Sequence, residues 1–116
     1  MRFPTSTQST RMTTSKSETA LKVKCADWLK RQSHVWFFKV FGNGIQAGGV
    51  PDFIICYRGR FIAIELKRPD GQGKLEKRQE AQLRRISEAG GVAVVIDSFE
   101  DFKRVFEDID REEDCV

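Results

Sequence analysis

The sequence predicts a mixed α/β domain in which helices flank a central sheet of parallel and antiparallel strands. Two short apolar segments, 53–57 and 61–67, are separated by a turn-forming segment, as in a β-hairpin. A helical segment and a buried apolar strand, 92–96, come next, and this strand–helix–strand order indicates a parallel pair. Amphipathic helices at both ends complete the order α-β-β-β-α-β-α.

The first helix is predicted to begin near Ser15 or Ser17 and to end around Gln32 or Ser33. Its apolar residues recur at i, i+4, i+7 and i+8, which places them on one face. They are Leu21, Cys25, Trp28 and Leu29.

Three strands follow the first helix. Residues 35–42 are β-branched and aromatic, which favours a strand, and glycines mark the loop 42–49. If Arg58-Gly59 forms a two-residue turn, the hairpin register places Asp52 opposite Glu65. A three-residue turn would shift this register, but it could restore the face through a bulge.

The last three elements are a helix, a strand and a helix. A helix is predicted over 75–89, where Gly90-Gly91 ends it. The apolar run 92–96 is bounded by breakers, which predicts a fully buried strand. Ser98 is the predicted N-cap of the last helix. The apolar residues of that helix, Phe99, Phe102, Val105, Phe106 and Ile109, are expected to be core rather than a base-stacking surface.

Charge is unevenly distributed along the chain. Residues 18–104 carry sixteen Lys and Arg against eleven Asp and Glu, whereas residues 105–116 carry one Arg against six acids. A basic body suits a polyanion such as nucleic acid, although a solvated surface has the same composition. We expect a disordered leader at 1–17, one domain at 18–109 and an acidic tail at 110–116.

Composition also argues against several classes of protein. No apolar run approaches the roughly 18 residues that cross a membrane, and the N-terminus lacks the apolar segment of a secretory signal. Cys25, Cys56 and Cys115 are widely spaced, which argues against a zinc site. Cys25 and Cys56 lie in apolar surroundings, which predicts that both are core residues, and a reducing intracellular setting is expected.

Charged residues interrupt the apolar hairpin. Strand alternation places Glu65 and Lys67 on one face, and Asp52 lies opposite Glu65 in the expected register. Two carboxylates with Cβ atoms roughly 4.5–5.5 Å apart destabilise a sheet unless a cation lies between them. Mg²⁺ suits such an incomplete oxygen cage, as does Mn²⁺, and Lys67 adds a charge that can assist phosphodiester hydrolysis. A simple ion pair of Lys67 with either carboxylate is the alternative.

A more specific signature runs through GGVPDFIICYRGRFIAIELKRPDGQGKLEKRQEAQLRRISEAGG. It combines PD, IELK, a KRPDG loop, Gln79 on the next helix, and a Gly-Gly helix end before an apolar strand. Residues 18–106 thereby resemble the VRR-NUC (virus-type replication-repair nuclease) domain of the PD-(D/E)xK superfamily. The resemblance implies a restriction-endonuclease-like core and a divalent-metal-dependent deoxyribonuclease that uses Mg²⁺ or Mn²⁺.

The resemblance also implies roles for individual residues. Asp52 and Glu65 look like metal-binding carboxylates, Leu66 like a ligand through its backbone carbonyl, Lys67 like the catalytic lysine, and Gln79 like the glutamine of the catalytic set. Glu18 looks like an acidic residue that can complete the metal site. Two alternatives remain open, since Glu18 can instead form a capping box with Ser15 and Gln79 can be an ordinary polar residue at the flank of its helix.

DNA contacts are expected from basic and polar residues near these groups. The candidates are Arg68, Lys74, Lys77, Arg78, Asn43 and Gln46, with Lys39, Arg58 and Arg60 as further ones. Small VRR-NUC domains resemble Holliday-junction resolvases, which implies a homodimer that cuts branched DNA in repair, in the cytoplasm of a bacterium or a phage-infected cell. The last helix or an exposed part of the sheet would form the dimer.

Other functions and a role for the tail stay open. A flap, end or duplex nuclease would use the same chemistry, and a DNA-binding module would lack catalysis. The acidic tail is either a solvated end or a brake that competes with DNA for the basic face.

Overall fold

A computed structural model describes the chain over residues 14–40, 48–67 and 75–114. The elements are α1 (Thr14–Lys30), β1 (Val35–Lys39), β2 (Phe53–Tyr57), β3 (Arg60–Leu66), α2 (Lys77–Glu88), β4 (Val92–Ile96) and α3 (Phe99–Asp114). Their order is the predicted one, but the prediction that 92–96 is a fully buried strand is wrong, because Val95 of β4 is exposed and only Ile96 is buried. Within these segments, no helix is long and apolar enough to cross a membrane.

The four strands form one sheet in the order β1-β2-β3-β4. β1 and β3 both pair antiparallel with β2, whereas β4 lies parallel to β3. Tyr57 pairs with Arg60, and Arg58 and Gly59 between them have φ angles of 51° and 84°. Two positive φ angles are typical of a type I′ turn. The mixed sheet and the register expected for a two-residue turn are therefore confirmed.

The main core lies between the sheet and the helices α1 and α3. Alternate residues of β2 and β3 are fully buried on this side: Phe53, Ile55, Ile62, Ile64 and Leu66. Phe102 and Phe106 of α3 place their rings 5.8 and 5.1 Å from the ring of Trp28 on α1. Both phenylalanines are fully buried, so the prediction that this aromatic stripe is core is confirmed.

α2 packs on the opposite face of the sheet, beside β4. Its Leu83 is buried. Gly91, just after the helix, lies so close to its neighbours that a Cβ there would meet Phe61 at 2.9 Å and Ile86 at 3.0 Å. The glycine therefore allows α2 to end tightly against the sheet.

The structure tests one of the two predicted helix N-caps, the one at Ser98. Ser98 caps α3, because its Oγ accepts the N–H of Asp101 at 3.1 Å. Ser15 is the second residue of α1, and the capping-box alternative for Glu18 stays a prediction. Residues 1–13 of the predicted leader and Cys115 lie outside the described residues, and α3 extends into the predicted acidic tail as far as Asp114.

The prediction that Cys56 is a core residue is wrong. Its side chain is exposed, whereas Cys25 is fully buried as predicted. Cys56 lies between Ile55 and Tyr57, which point into the core, so strand alternation directs it to the other face. The sequence FIICY does not show which of its faces is buried, because the residues on both faces are apolar.

Candidate active site

Asp52 lies just before β2, where the backbone ladder between β1 and β2 continues. Its carbonyl oxygen accepts the N–H of Val40 at 2.8 Å. Its side-chain Oδ2 accepts the N–H of Leu66 at 2.8 Å. This second bond crosses the open end of the hairpin, so the Asp52 carboxylate is fixed beside the end of β3, where Glu65 lies.

Glu65 is the buried charged residue of the described chain, with 4% of its surface exposed. Its Oε2 accepts a hydrogen bond from Gln79 Nε2 at 2.8 Å and lies 3.5 Å from Lys67 Nζ. Its Oε1 is buried and has no hydrogen-bond partner within the described segments. A buried carboxylate oxygen without a partner is costly, so this oxygen marks a position where a ligand would be stabilised.

The electrostatics of the two carboxylates also favour a cation bound between them. The pKa of Glu65 is raised to about 7: burial raises it most and the negative charge of Asp52 also raises it, whereas Lys67 and Lys22 partly offset this by lowering it. The proximity of the two carboxylates, which the hairpin register predicted, is thus reflected in the pKa of Glu65. A cation between them would lower this pKa again.

Gln79, in the first turn of α2, connects the groups of the site. Its Nε2 donates to Glu65, and its Oε1 accepts from Lys67 Nζ at 3.1 Å and from the backbone N–H of Glu76 at 2.9 Å. These three bonds fix the orientation of the amide, because both of its ends have complementary partners. The structure therefore brings Gln79 to the predicted site, held by the same bonds that cap its helix.

Two glycines allow the first turn of α2 to approach the site. Gly49 has a φ of +88°, and a Cβ on it would lie 2.5 Å from the carbonyl oxygen of Arg78 and 3.0 Å from the backbone nitrogen of Gln79. Glycine is required at position 49 both for its backbone conformation and for the lack of a side chain. At Gly48 a Cβ would instead meet the flexible guanidinium of Arg78.

Lys22 belongs to the site although the sequence patterns did not single it out. Its Nζ lies 3.4 Å from Asp52 Oδ1. Glu18 is half-buried and lies one turn earlier on α1, so the two share a helix face. The i, i+4 spacing from Glu18 is the signal that would have found Lys22.

The predicted DNA-binding residues fall into three groups, apart from Lys39, which is the last residue of β1. Lys77 and Arg78 are exposed in the first turn of α2, beside the site. Arg58 and Arg60 lie at the far end of β3 and pair with acids of α3 at 3.5 and 2.9 Å, so their charges are already balanced. Four others lie outside the described residues: Arg68, Lys74, Asn43 and Gln46.

The donor groups fit a hard divalent cation. In the described part of the chain, no cluster of three or more His, Cys, Asp or Glu side chains is arranged to hold a metal. Mg²⁺ needs fewer protein ligands, because it usually keeps several waters and takes one or two carboxylates. A positive charge at this position would give the unpartnered Oε1 of Glu65 a partner. It would also lower the raised pKa of Glu65.

Known structures include one with the same fold. The sequence matches no family model and no curated protein. A solved structure described as a "VRR_NUC domain" superposes with a TM-score of 0.64, covering 78% of this chain and 95% of its own. The two sequences are 21% identical, so the likeness establishes the fold and leaves the chemistry to the residues of the site.

Proposed function

We propose that this chain, which has the nuclease-type fold of a VRR-NUC domain, is a divalent-metal-dependent DNA endonuclease that acts on branched DNA. The observation that carries the proposal is the pair Asp52 and Glu65. Their carboxylates are brought together at one end of β3, and the inner one keeps a buried oxygen without a partner. A protein that only binds DNA has no need to bury a carboxylate beside another one.

Each residue of the site has a part in the proposed reaction. Asp52, Glu65 and the backbone carbonyl of Leu66 would hold Mg²⁺ or Mn²⁺, with Glu18 as an additional candidate ligand. When bound, the ion supplies Lewis-acid polarisation of the scissile phosphate. Asp52 is held in place by the N–H of Leu66 and Glu65 by the amide of Gln79, so both carboxylates are already oriented.

Lys67 supplies a positive charge on the same side of the site. Its Nζ is held between Glu65 Oε2 at 3.5 Å and Gln79 Oε1 at 3.1 Å. Its side chain is 16% exposed, so the charge is little screened by solvent. We assign to it the stabilisation of negative charge that develops on the phosphate during attack by water.

The substrate class rests on charge and on the resemblance to junction resolvases. α2 carries four basic and two acidic residues and begins beside the site, with Lys77 and Arg78 available to phosphates. A reaction on cellular DNA in the cytoplasm of a bacterium or a phage-infected cell, as part of repair, belongs to this proposal.

Cleavage of a labelled four-way junction, a flap and a duplex of the same sequence tests the proposal. Each substrate is incubated with Mg²⁺, Mn²⁺ or EDTA and with wild type, Glu65→Ala or the control Glu107→Ala, which removes an exposed acid of α3. We expect cuts on the junction that need the metal, survive in the control and fall by roughly 100-fold or more in Glu65→Ala.

Three other outcomes would change the proposed substrate, the proposed catalysis or the assigned site. Metal-dependent cuts mainly on flap or duplex would keep the chemistry and replace the substrate class. Tight DNA binding without cleavage in either metal would indicate a binding module. Cleavage that survives both EDTA and Glu65→Ala would contradict the assigned site.

A further inference from the structure

Both carboxylate oxygens of Asp52 already have a partner in the structure. Its Oδ2 accepts the backbone N–H of Leu66 at 2.8 Å, and its Oδ1 lies 3.4 Å from Nζ of Lys22 on α1. Glu65 differs, because its buried Oε1 has no partner within the described segments. A divalent ion held between the two acids therefore meets an open oxygen on Glu65 but an ammonium group on Asp52.

The two partners of Asp52 differ in how firmly they are held. Leu66 is fully buried and pairs with Ile96 of β4, so its N–H cannot move away from Oδ2 unless the sheet moves. Lys22 reaches Oδ1 through a flexible aliphatic side chain that is 30% exposed. A partly exposed ion pair of this kind contributes little to stability. Lys22 is therefore the partner that can leave Asp52 while the rest of the site stays in place.

Each acid of the site has a lysine beside it, but the two lysines are held differently. Lys67 Nζ lies 3.5 Å from Glu65 and also donates to Gln79 at 3.1 Å, with only 16% of its side chain exposed. Lys22 is more exposed, and it is held at the site by its ion pair with Asp52. Lys67 is thus fixed beside its acid, whereas Lys22 can be exchanged.

A divalent ion and the Lys22 ammonium would compete for the same oxygen. Two cations beside one carboxylate repel each other, and a balanced set of two acids and two lysines becomes doubly positive when a divalent ion is added. The charge of Lys22 also reaches the second acid, because Lys22 is one of the groups that lower the pKa of Glu65. Lys22 thus supplies part of the positive charge that the neighbouring carboxylates require before any metal is bound.

We propose that Lys22 is an exchangeable counter-ion, which neutralises Asp52 while the site holds no divalent ion and leaves Oδ1 when one binds. This role rests on the metal site of the proposed function. Because Lys22 must be displaced, the wild-type site should bind a metal more weakly than its carboxylates alone would allow. Lys22 acts through Asp52, so it is a positioning residue of the site.

Displacement of Lys22 has a consequence for DNA binding. An ammonium that has left Asp52 is a partly exposed cation, and DNA phosphates attract such cations. The metal-bound site should therefore hold DNA through one cation more than the metal-free site. By linkage, a metal then strengthens DNA binding and DNA strengthens metal binding to the same extent, with Lys22 as the coupling residue.

Calorimetric titration with Mn²⁺ in the absence of DNA tests the displacement directly. Lys22→Gln removes the charge, and the control Lys30→Gln makes the same change at an exposed position about 12 Å further along α1. We expect Lys22→Gln to bind Mn²⁺ roughly three- to tenfold more tightly than wild type, and the control to bind it as wild type does. Lys22→Arg keeps the charge and should gain no affinity.

Thermal unfolding in EDTA and in saturating Mn²⁺ gives a second measurement. In EDTA, Lys22→Gln leaves Asp52 beside Glu65 without its lysine, so its unfolding midpoint should lie below that of Lys30→Gln. In Mn²⁺ the two midpoints should converge, because the ion takes the place of the ammonium and stabilises the tighter-binding variant more. If Lys22 served only to pack α1, the deficit would be the same in both buffers.

Fluorescence anisotropy with a labelled four-way junction measures the coupling to DNA. Ca²⁺ is the divalent ion in this assay, because it takes the same type of oxygen ligand as Mg²⁺. We expect Ca²⁺ to strengthen binding relative to EDTA by roughly fivefold or more in wild type and in Lys30→Gln. The gain should be smaller in Lys22→Gln.

Several results would overturn the role of Lys22. These are a Mn²⁺ affinity that is unchanged or lower in Lys22→Gln, and a stability deficit that Mn²⁺ does not reduce. An equal gain of affinity in Lys30→Gln would show that net charge alone sets metal binding. An equal effect of Ca²⁺ on the DNA affinity of wild type and Lys22→Gln would overturn the coupling.

Metal binding and cleavage together separate the role of Lys22 from the proposed function. Tighter Mn²⁺ binding in Lys22→Gln, with no cleavage by any protein, would keep the counter-ion and remove the nuclease. Metal-dependent cleavage with equal Mn²⁺ affinity in all variants would keep the nuclease and remove the counter-ion. A wild type and variants that bind no Mn²⁺ would contradict both.

Discussion

At the residue scale, the site consists of charged groups whose positions are set by a few short hydrogen bonds. Asp52 is bound to the backbone of Leu66, and Glu65 and Lys67 are both bound to Gln79. None of these contacts leaves Glu65 fully satisfied, because its Oε1 has no partner within the described segments. A site of this kind holds its ligands in place at some cost in stability.

Gln79→Ala tests how far the amide positions the site. The variant removes the donor to Glu65 and the acceptor of Lys67, so we expect the metal affinity or the cleavage rate to fall by roughly 10–100-fold. Mn²⁺ titration by calorimetry and single-turnover cleavage measure the two effects. Gln82→Ala changes the same residue type later in α2 and should leave both unchanged; equal losses in the two variants would indicate general damage to the helix.

The pKa of Glu65 predicts how stability depends on pH without a metal. A folded-state pKa of about 7, above the ordinary 4.5, means that the folded protein binds the proton more tightly than the unfolded chain does. The contribution of Glu65 to the free energy of unfolding should therefore be highest at acidic pH and fall as pH rises from about 4.5 to 7, by up to about 3 kcal/mol.

Urea unfolding in EDTA at several pH values between 5 and 8 measures this dependence. In Glu65→Gln, which cannot titrate at this position, the decline should be smaller than in wild type. Mg²⁺ should stabilise wild type more at pH 8 than at pH 5.5, because protons and the cation compete for the same carboxylate. Parallel curves for wild type and variant would show that Glu65 has an ordinary pKa.

At the element scale, the position of α2 depends on the backbone of residues 48–49. Gly49 lies against the carbonyl of Arg78, one residue before Gln79. The helix N-terminus, the amide and the loop that leads into Asp52 are thus packed against one another. A substitution in this loop should therefore move α2 and, through Gln79, shift the Glu65 carboxylate.

Gly49→Ala and Gly59→Ala separate backbone strain from this packing. Both glycines have positive φ, but a Cβ at Gly59 meets nothing within 4 Å, whereas at Gly49 it would lie 2.5 Å from Arg78 O. We expect Gly59→Ala to cost about 1 kcal/mol of stability and to keep its activity. Gly49→Ala should cost more and also lose activity, because α2 must move. Thermal unfolding and single-turnover cleavage compare the two, and equal activity in both would contradict the packing argument.

The end of α3 is fixed to the hairpin turn. Asp110 accepts hydrogen bonds from Tyr57 Oη at 3.0 and 3.1 Å and lies 3.5 Å from Arg58. Asp110→Ala should lower the free energy of unfolding by about 1–2 kcal/mol, because Tyr57 Oη loses its acceptor. Asp108→Ala removes an exposed acid paired only locally with Arg111 and should cost less than 1 kcal/mol.

DNA affinity of the same two variants tests whether the acidic tail acts as a brake. Asp110 and Glu112 contact the turn at 58–60, the opposite end of β3 from Glu65. We therefore expect no tighter DNA binding in Asp110→Ala, and tighter binding would support the brake. Truncation is a poorer test, because Ile109 belongs to the core and is only 3% exposed.

At the scale of the whole molecule, the helices α2 and α3, on opposite faces of the sheet, differ in charge. α2 carries four basic and two acidic residues, whereas α3 on the other side carries three basic and eight acidic ones. The candidate site lies beside the first turn of α2. Under the proposed function, DNA would be attracted to α2 and repelled by α3, whereas α1, which packs on the same side of the sheet as α3, carries four basic and two acidic residues.

The fold and the proximity of Asp52 and Glu65 could be predicted because both follow from local rules. Strand alternation and the turn at Arg58-Gly59 set the register that brings Asp52 to Glu65. Contacts between distant elements follow no such rule, so Lys22 on α1 was missed. Cys56 was misplaced for another reason, since β2 is apolar on both faces and its exposed side reflects the limited width of α2, which no pattern within β2 encodes.

The two-residue turn at Arg58-Gly59 constrains how sequences of this kind can change over generations. It touches neither carboxylate, yet one residue added or removed there, without a β-bulge to absorb it, would rotate every following side chain of β3 to the other face. Glu65 would then enter the core, and Leu66 would take its place beside Asp52. Surface loops usually accept insertions freely, but in lineages that keep the reaction the length of this turn should be inherited as strictly as the carboxylates themselves.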